Sequence, residues 1–590
     1  MRVTHHRGSD SQLSFTPVLR RRRGVRIALL AGFLVLSALA LPARAAEPSQ
    51  PPDYSTAIRR LEQVIQDELA RGLIHGVSVA LVDDQRLVYA GGFGYADQAR
   101  RRLARPDTVY RAGSISKLFT ALATMQLVEQ GKLELDKPIT EFDPDFRIEN
   151  PFADAKPITL RQLMCHRSGM IRESPVGSYF DPSEPGTART VASIASCALV
   201  YPPDAKTKYS NVGPTIVGNI VAKVAGLPFE EYQRRHLLGP ISMNSSDFLL
   251  NRQLKQRLAT AYLPVADGRD GFREIASPHF ELGTIPAGNL YTTAEDLGRF
   301  LSFLFARGRA GERQLLKPEM LAEMFTVQLT KETNGFGLGF FVGSFRGHKT
   351  VNHTGAVYGF TSALTALPAD KLGVVVLIND DIAVGPMRKL NNAAVEFMLE
   401  AKLGEKPASK PVALKLTAAE LAAFAGDYES ESFWAKIESG DGGLRANISG
   451  QRMTFTPTEP LKSEANGRIV HEGPVVFERD DAGRMTGFTA LNQQFRRVDP
   501  SAAREIPAEW RKFLGSYGPW FIPVIVTVKH GHLCAMTENE FDYRLTPLNR
   551  TVFKMPAGLY VDEQLVFQAG RDGKVHSILL ANMTLGRRKL

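Results

Sequence analysis

Cysteine is scarce: Cys165, Cys197 and Cys534 are the three in 590 residues, an odd number without the paired spacing of a metal site. Cys165 and Cys197 could pair in an oxidising compartment, and buried free thiols fit the same residues. The chain has no His-Glu-x-x-His motif and its 12 histidines are scattered, so no metal site is expected. The glycine-rich stretch 335–339 lacks the spacing of a dinucleotide fingerprint, and no cofactor is expected. Basic charge is missing from the part that would fold. Of the net +10, +7 lies in residues 1–46, where eight arginines face the single acid Asp10. The remainder holds +3 with no Lys/Arg cluster, which argues against a nucleic-acid partner.

No segment is apolar for the ~20 residues that cross a bilayer. The 15-residue run 27–41 follows Arg20–Arg23 and precedes Ala43-Arg44-Ala45, a small-x-small cleavage pattern. This reads as a signal peptide over 1–46, with an uncleaved anchor as the alternative. The mature chain is then expected to be periplasmic or secreted, without a stable membrane span.

A length of 590 residues calls for several domains. An apolar stripe at Ile58, Leu61, Val64, Ile65 and Leu69 predicts a helix over 56–70. A hairpin follows over 76–95, turning at Asp83-Asp84-Gln85. Further strands are expected at 335–342, 361–367 and 372–378, and a helix at about 386–402. Strands at both ends with helices between them imply a sheet assembled from both termini of one domain, 47–403. A Lys/Pro/Ala linker at 404–411 leads to short alternating strands. These repeat. Tyr428 lies 49 residues before Phe477, and Tyr517 lies 50 before Phe567. Each phenylalanine is followed six residues later by a glycine, and each copy closes on an arginine pair, Arg496-Arg497 and Arg587-Arg588. Two tandem all-β barrel-like modules, 412–500 and 501–590, account for this pattern.

Three short motifs carry chemistry. In Ser114-Ile-Ser-Lys117 the serine and lysine share one helix face, and a lysine kept neutral by burial can take the serine's proton. Alone, the spacing also fits a capping serine followed by a solvated lysine. Tyr209-Ser-Asn211 opens a helical run; the phenol could relay a proton and the amide could hold a substrate carbonyl, though the segment also reads as turn chemistry. His353-Thr354-Gly355-Ala356 fits a strand edge where a substrate meets backbone N–H groups closely.

In this order the three motifs resemble those of the serine β-lactamase and penicillin-binding-protein superfamily. The similarity is to its branch with Tyr-x-Asn: class C β-lactamases, DD-peptidases, related esterases and D-aminopeptidases. The resemblance covers residues 56–402. It implies an α/β (α+β) catalytic domain, an antiparallel sheet with helices. It further implies Ser114 as acylated nucleophile, Lys117 as base, Tyr209 as proton relay and Asn211 as substrate hydrogen-bonder. His353, Thr354 and Gly355 would line the substrate, and the N–H groups of Ser114 and Ala356 would form an oxyanion hole. His166 is expected to be structural. Where β-lactamases and DD-carboxypeptidases usually have lysine, this chain has His353, a weaker anchor for a carboxylate. The expected activity is therefore hydrolysis of a small ester, amide or D-amino-acid peptide. A β-lactamase or DD-peptidase acting on cell-wall-type substrates is the alternative. A non-catalytic binding or regulatory protein of the same fold is another, and a third makes the tandem β-modules the working part, through a loop such as 517–523.

Overall fold

The computed structural model describes residues 51–266, 272–440, 443–499 and 505–589. The signal-peptide reading and the junction between the two β-modules at 500–504 lie outside the described residues. Residues from Pro52 onward hold together as one unit.

The hairpin strands Gly76–Asp83 and Arg86–Asp97 and the later strands Phe341–Phe345, His348–Val357, Phe360–Leu367 and Leu372–Ile378 join one eight-stranded sheet, with short Gly335–Phe336 and Arg102–Leu103 at its edges. Gly76–Asp83 pairs antiparallel with Leu372–Ile378, Val79 opposite Val376, so the two ends of the domain meet in the middle of the sheet. Gly76–Asp83, Phe360–Leu367 and Leu372–Ile378 are buried along their whole lengths. That explains why they read as continuous apolar runs and not as alternation. Helices Ser55–Ala70 and Val384–Leu403 cover one face through Leu61, Ile65, Leu390 and Met398. On the other face lies Ala294–Phe305, whose Gly298 sits so close that a Cβ would reach 2.9 Å from Leu87.

The helix carrying the first motif, Ser116–Glu129, is buried from Ser116 to Leu127 on every side. A helix apolar all round belongs in the interior, and this one packs against Val212–Ala225, which follows the second motif. The expected single strand 335–342 is a correction: it breaks into Gly335–Phe336 and Phe341–Phe345. Gly337 presses on the Met324 carbonyl and Gly339, at φ +82°, on Ala121, so the glycines form a loop against the central helix.

Beyond the linker, eight strands between Gly426 and Val498 close into a barrel, with Gly426–Glu429 paired to both Trp434–Gly440 and Gln493–Val498. The second module holds a four-stranded and a five-stranded sheet joined by a bridge between Tyr517 and Arg587. The repeat is visible atom by atom. Tyr428 donates to the Phe424 carbonyl and Tyr517 to that of Phe513, both at 2.7 Å. Arg497 donates to the Ala425 carbonyl and Arg587 to that of Leu514, both at 2.6 Å. All three cysteines are buried and free. Among the described residues no single helix is long and apolar enough to cross a membrane.

Candidate active site

Ser114 sits in a tight turn ahead of the helix, which begins at Ser116. Gly113 takes φ +53°, a conformation cheap only for glycine. The chain then turns through N–H bonds from Ser116 to the Gly113 carbonyl and from Lys117 to that of Ser114. The Ser116 hydroxyl ties the turn down, donating to the Gly113 carbonyl at 2.6 Å and accepting from the Leu290 N–H at 2.9 Å. Ser114 is left half-buried at the mouth, and Lys117 lies buried one turn below it.

Lys117 Nζ is 2.9 Å from Ser114 Oγ, 2.7 Å from Asn211 Oδ1 and 2.8 Å from the Ala287 carbonyl. Burial holds its pKa well below the ordinary lysine value, against the attraction of Glu173. A neutral amine has two N–H donors and one lone pair. Asn211 and Ala287 take the two donors, so the lone pair faces the Ser114 hydroxyl, the arrangement a general base needs. Tyr209 shares the space, its ring 5.0 Å from Lys117 Nζ. Burial pushes the phenol up to about 12, against a hydrogen bond with Ser114 and the charge of Arg172. The phenol therefore stays protonated at neutral pH, and the base at rest is Lys117. His166, with φ +59°, lies tilted against the Tyr209 ring at 4.3 Å and accepts the Ser210 N–H at Nδ1. Its contacts orient the Tyr209 segment from behind.

The third motif lies on strand His348–Val357. Tyr358-Gly359 form a two-residue turn with positive φ at both positions. Such a turn makes Val357 and Phe360 the hydrogen-bonded pair, so at the next pair, Ala356 and Thr361, the N–H and C=O of Ala356 point away from the neighbouring strand. The strand on the other side pairs only as far as Asn352, opposite Phe341. The edge from His353 to Ala356 is thus open. Its Ala356 N is near enough to Gly113 that a Cβ on Gly113 would lie 2.9 Å away, which sets this open edge against the turn that carries Ser114. The Tyr179 hydroxyl caps the Ala356 carbonyl. Thr354 is exposed along this edge.

His353 is buried, and desolvation with the nearby Lys117 lowers its pKa to about 3. Its Nδ1 is 2.6 Å from the Thr354 carbonyl, so Nδ1 carries the proton and Nε2 is a bare acceptor without a partner. A neutral ring presenting a lone pair repels a carboxylate, a stronger departure from a lysine than weakened anchoring.

Several residues around the site have no motif to announce them. Glu173, fully buried, accepts from Asn211 Nδ2. Arg172 lies beside it and over the Tyr209 ring. From the second β-module, more than 350 residues on, Glu563 pairs with buried Lys208 at 2.6 Å and accepts the Arg172 N–H at 3.0 Å. Glu538 and Tyr560 of that module stand against Arg172. Among the described residues one group has the makings of a cation site, His75, Glu274 and Asp380, away from Ser114. Both ring nitrogens of His75 are already engaged by the two carboxylates, which marks an ion triad.

The Beta-lactamase family profile matches residues 61–397, more than half of the chain. "Protein flp" of Staphylococcus aureus (strain MRSA252) is 23% identical over 321 residues, 54% of this chain and 62% of its own. The chain thus spans less than two thirds of that relative. "Putative beta-lactamase-like 1" of Homo sapiens is 24% identical over 66% of this chain and 80% of its own. Among solved structures, the octameric penicillin-binding protein homologue from Pyrococcus abyssi shares 25% identity at a TM-score of 0.53, over 74% of this chain and 99% of its own. The D-amino acid amidase from Ochrobactrum anthropi SV3 shares the fold, with a TM-score of 0.50 and 23% identity over 58% of this chain and 99% of its own. With a catalytic domain of this architecture and the family profile spanning it, the chain belongs to the Beta-lactamase family, a β-lactamase-fold family of serine hydrolases.

Proposed function

We propose that the protein is an exported serine hydrolase that cleaves a small ester or amide through an acyl-Ser114 intermediate. The observation that carries this reading is Lys117 Nζ buried 2.9 Å from Ser114 Oγ, with Asn211 Oδ1 and the Ala287 carbonyl accepting its N–H groups. Lys117 takes the Ser114 proton as Oγ attacks the substrate carbonyl. The N–H groups of Ser114 and Ala356 receive the oxyanion, a contribution of about 3 kcal/mol per donor. Collapse expels the alcohol or amine, which leaves with a proton relayed through Tyr209. Water then attacks the acyl ester, giving its proton to the same Tyr209–Lys117 pair and restoring Ser114. The bare Nε2 of His353 supports substrates without a carboxylate at that edge, which favours esters and amides over β-lactams and peptides ending in a free carboxylate. Export rests on the arginine-led apolar run and cleavage pattern in residues 1–46.

The test is release of nitrophenol from a short-chain nitrophenyl ester by the chain and by Ser114→Ala, with intact mass to detect the acyl group. Wild-type turnover is expected with a gain of one acyl mass, and Ser114→Ala is expected to lose about a thousandfold or more. Equal activity in the two proteins, or none in either with this ester and with amides, would return the chain to a binding role.

A further inference from the structure

The segments that carry Ser114 and Ala356 meet at one buried cluster of rings. Tyr358 follows Ala356 by two residues, in the turn that ends the open strand edge, and is buried. Arg111 precedes Ser114 by three residues. Its guanidinium lies 5.5 Å over the Tyr358 ring and donates to the Phe280 carbonyl at 3.0 Å. The Phe280 ring is 4.7 Å from that of Tyr358. Tyr358 donates its hydroxyl to the Tyr179 carbonyl, while the Tyr179 hydroxyl caps the Ala356 carbonyl. A displacement of the Tyr358 ring therefore reaches Ala356 by two routes, along the turn and through Tyr179.

Tyr358 has to be held. Its φ of +33° is a strained conformation for a bulky residue, one that persists only where neighbours over-determine it. On one side Gly359 presses on the catalytic domain, where a Cβ would come 2.7 Å from Tyr262 N, and the buried Asp381 carboxylate accepts the Gly359 N–H. A further contact comes from the second β-module. Its loop 518–523 leaves Tyr517 with Gly518 at φ +83°, is pinned by the Gly518 N–H on the Gly586 carbonyl, and is stiffened by Pro519 and Pro523. Phe521, at its centre, sets its ring 6.0 Å from that of Tyr358 and 5.4 Å from that of Phe280. Both are aromatic packing distances. Phe521 is 4% exposed although the adjacent Trp520 is 49% exposed. Apart from Trp520, its ring partners among the described residues both belong to the catalytic domain.

We infer that Phe521 of the second β-module is a positioning residue for the reaction, pinning Tyr358 and Phe280 so that the Ala356 N–H keeps its alignment on the oxyanion. The inference rests on the acyl-serine and oxyanion-hole readings above. Phe521 acts through Tyr358 and not on the substrate. Interiors are close-packed, so removing its ring leaves a void beside a strained turn, and the turn can relax into it. A shift of about 1 Å in a positioned group costs about a hundredfold in rate. An oxyanion donor is worth more to the tetrahedral intermediate than to the bound ester, so the loss falls on the chemical step. The second β-module then takes part in catalysis without lending a side chain to it.

The experiment measures kcat and KM of the full chain for nitrophenyl acetate, and its affinity for phenylboronic acid, in wild type and in the series Phe521→Leu, Phe521→Val and Phe521→Ala. Bonded to Ser114 Oγ, the boronate is tetrahedral and sets an oxygen where the oxyanion would lie, so its affinity reads the alignment of the donors. Acylation and deacylation both pass through that oxyanion. In Phe521→Ala, kcat and kcat/KM are therefore expected to fall together by about tenfold or more, with boronate affinity falling by a similar factor. Phe521→Leu, which keeps most of the apolar volume, is expected to retain most of both. A thermal melt shows which variants fold; if Phe521→Ala does not, wild type, Phe521→Leu and Phe521→Val decide by the same trend. Unchanged kcat across the folded variants overturns the inference, as does a loss confined to KM or a loss of kcat with boronate affinity intact. Failure of the underlying readings shows separately, as turnover that survives Ser114→Ala or as full activity in Gly355→Ala.

Discussion

Gly355 lies directly against the backbone of Ala112, so closely that a Cβ on Gly355 would come 2.0 Å from the Ala112 carbonyl oxygen and 2.5 Å from Ser362 Oγ. The contact seats the open strand edge on the residues leading into Ser114. In the proposed oxyanion hole it would set the spacing between the Ser114 and Ala356 N–H groups, neither of which has side-chain freedom to compensate.

Gly355→Ala is therefore expected to push the strand off the nucleophile turn. Losing alignment of one oxyanion donor costs about a hundredfold or more in kcat. The sheet is paired on both sides from Val351 inward, so the melting temperature should move by only a few degrees. Ester turnover and a thermal melt check the pair of outcomes; full activity in Gly355→Ala would refute the proposed oxyanion geometry.

Lys117 acts as base only when neutral, and burial lowers its pKa well below the ordinary value. Activity should rise as pH climbs through that lowered pKa and be lost below it as the amine gains a proton. It should then hold level, because Tyr209 titrates only at about 12. Lys117→Arg, charged throughout, is expected to lose about a thousandfold and show no acid limb. The kcat/KM profile of wild type decides this: a limb at the ordinary lysine pKa of about 10.4 would mean that Lys117 is not held neutral.

Lys208 and Glu563 form an ion pair with side chains 1% and 2% exposed, joining the catalytic domain to the second β-module. Removing one partner strands a buried charge, so Lys208→Met should destabilise by about 3–5 kcal/mol. Adding Glu563→Leu should recover much of that loss, because both desolvation costs disappear together. Urea unfolding of the single and double variants measures the recovery, and a double variant no better than Lys208→Met would assign the pair a different role.

His75 is hydrogen-bonded to Asp380 through Nδ1 and to Glu274 through Nε2. Burial disfavours the charged ring, but the two carboxylates outweigh it and raise its pKa to about 9. The folded form thus holds a proton the unfolded form releases near 6.5. The triad's stabilisation is fully present below about 6.5 and is lost as pH rises through about 9, roughly 3 kcal/mol in all. The stability gap between wild type and His75→Asn should narrow by that amount between the two pH values. A gap independent of pH would mean that the triad contributes packing alone.

The catalytic domain was legible because its information is local or periodic. Buried strands read as apolar runs, the helix 56–70 as a stripe, and Ser114-x-x-Lys117 as two residues one turn apart. The duplication showed in the sequence because Tyr428 and Tyr517, with Arg497 and Arg587, make the same contacts in each copy. The glycine stretch 335–339 misled, since permissive backbone follows whatever it packs against, here the central helix. What only the tertiary structure decided is charge and direction. The lowered pKa of Lys117 and the orphaned oxygens of Glu173 and Glu538 depend on neighbours tens to hundreds of residues away, and the lowered pKa of His353 on its burial. Desolvation and hydrogen-bond geometry belong to the packed interior, and no local spacing encodes them.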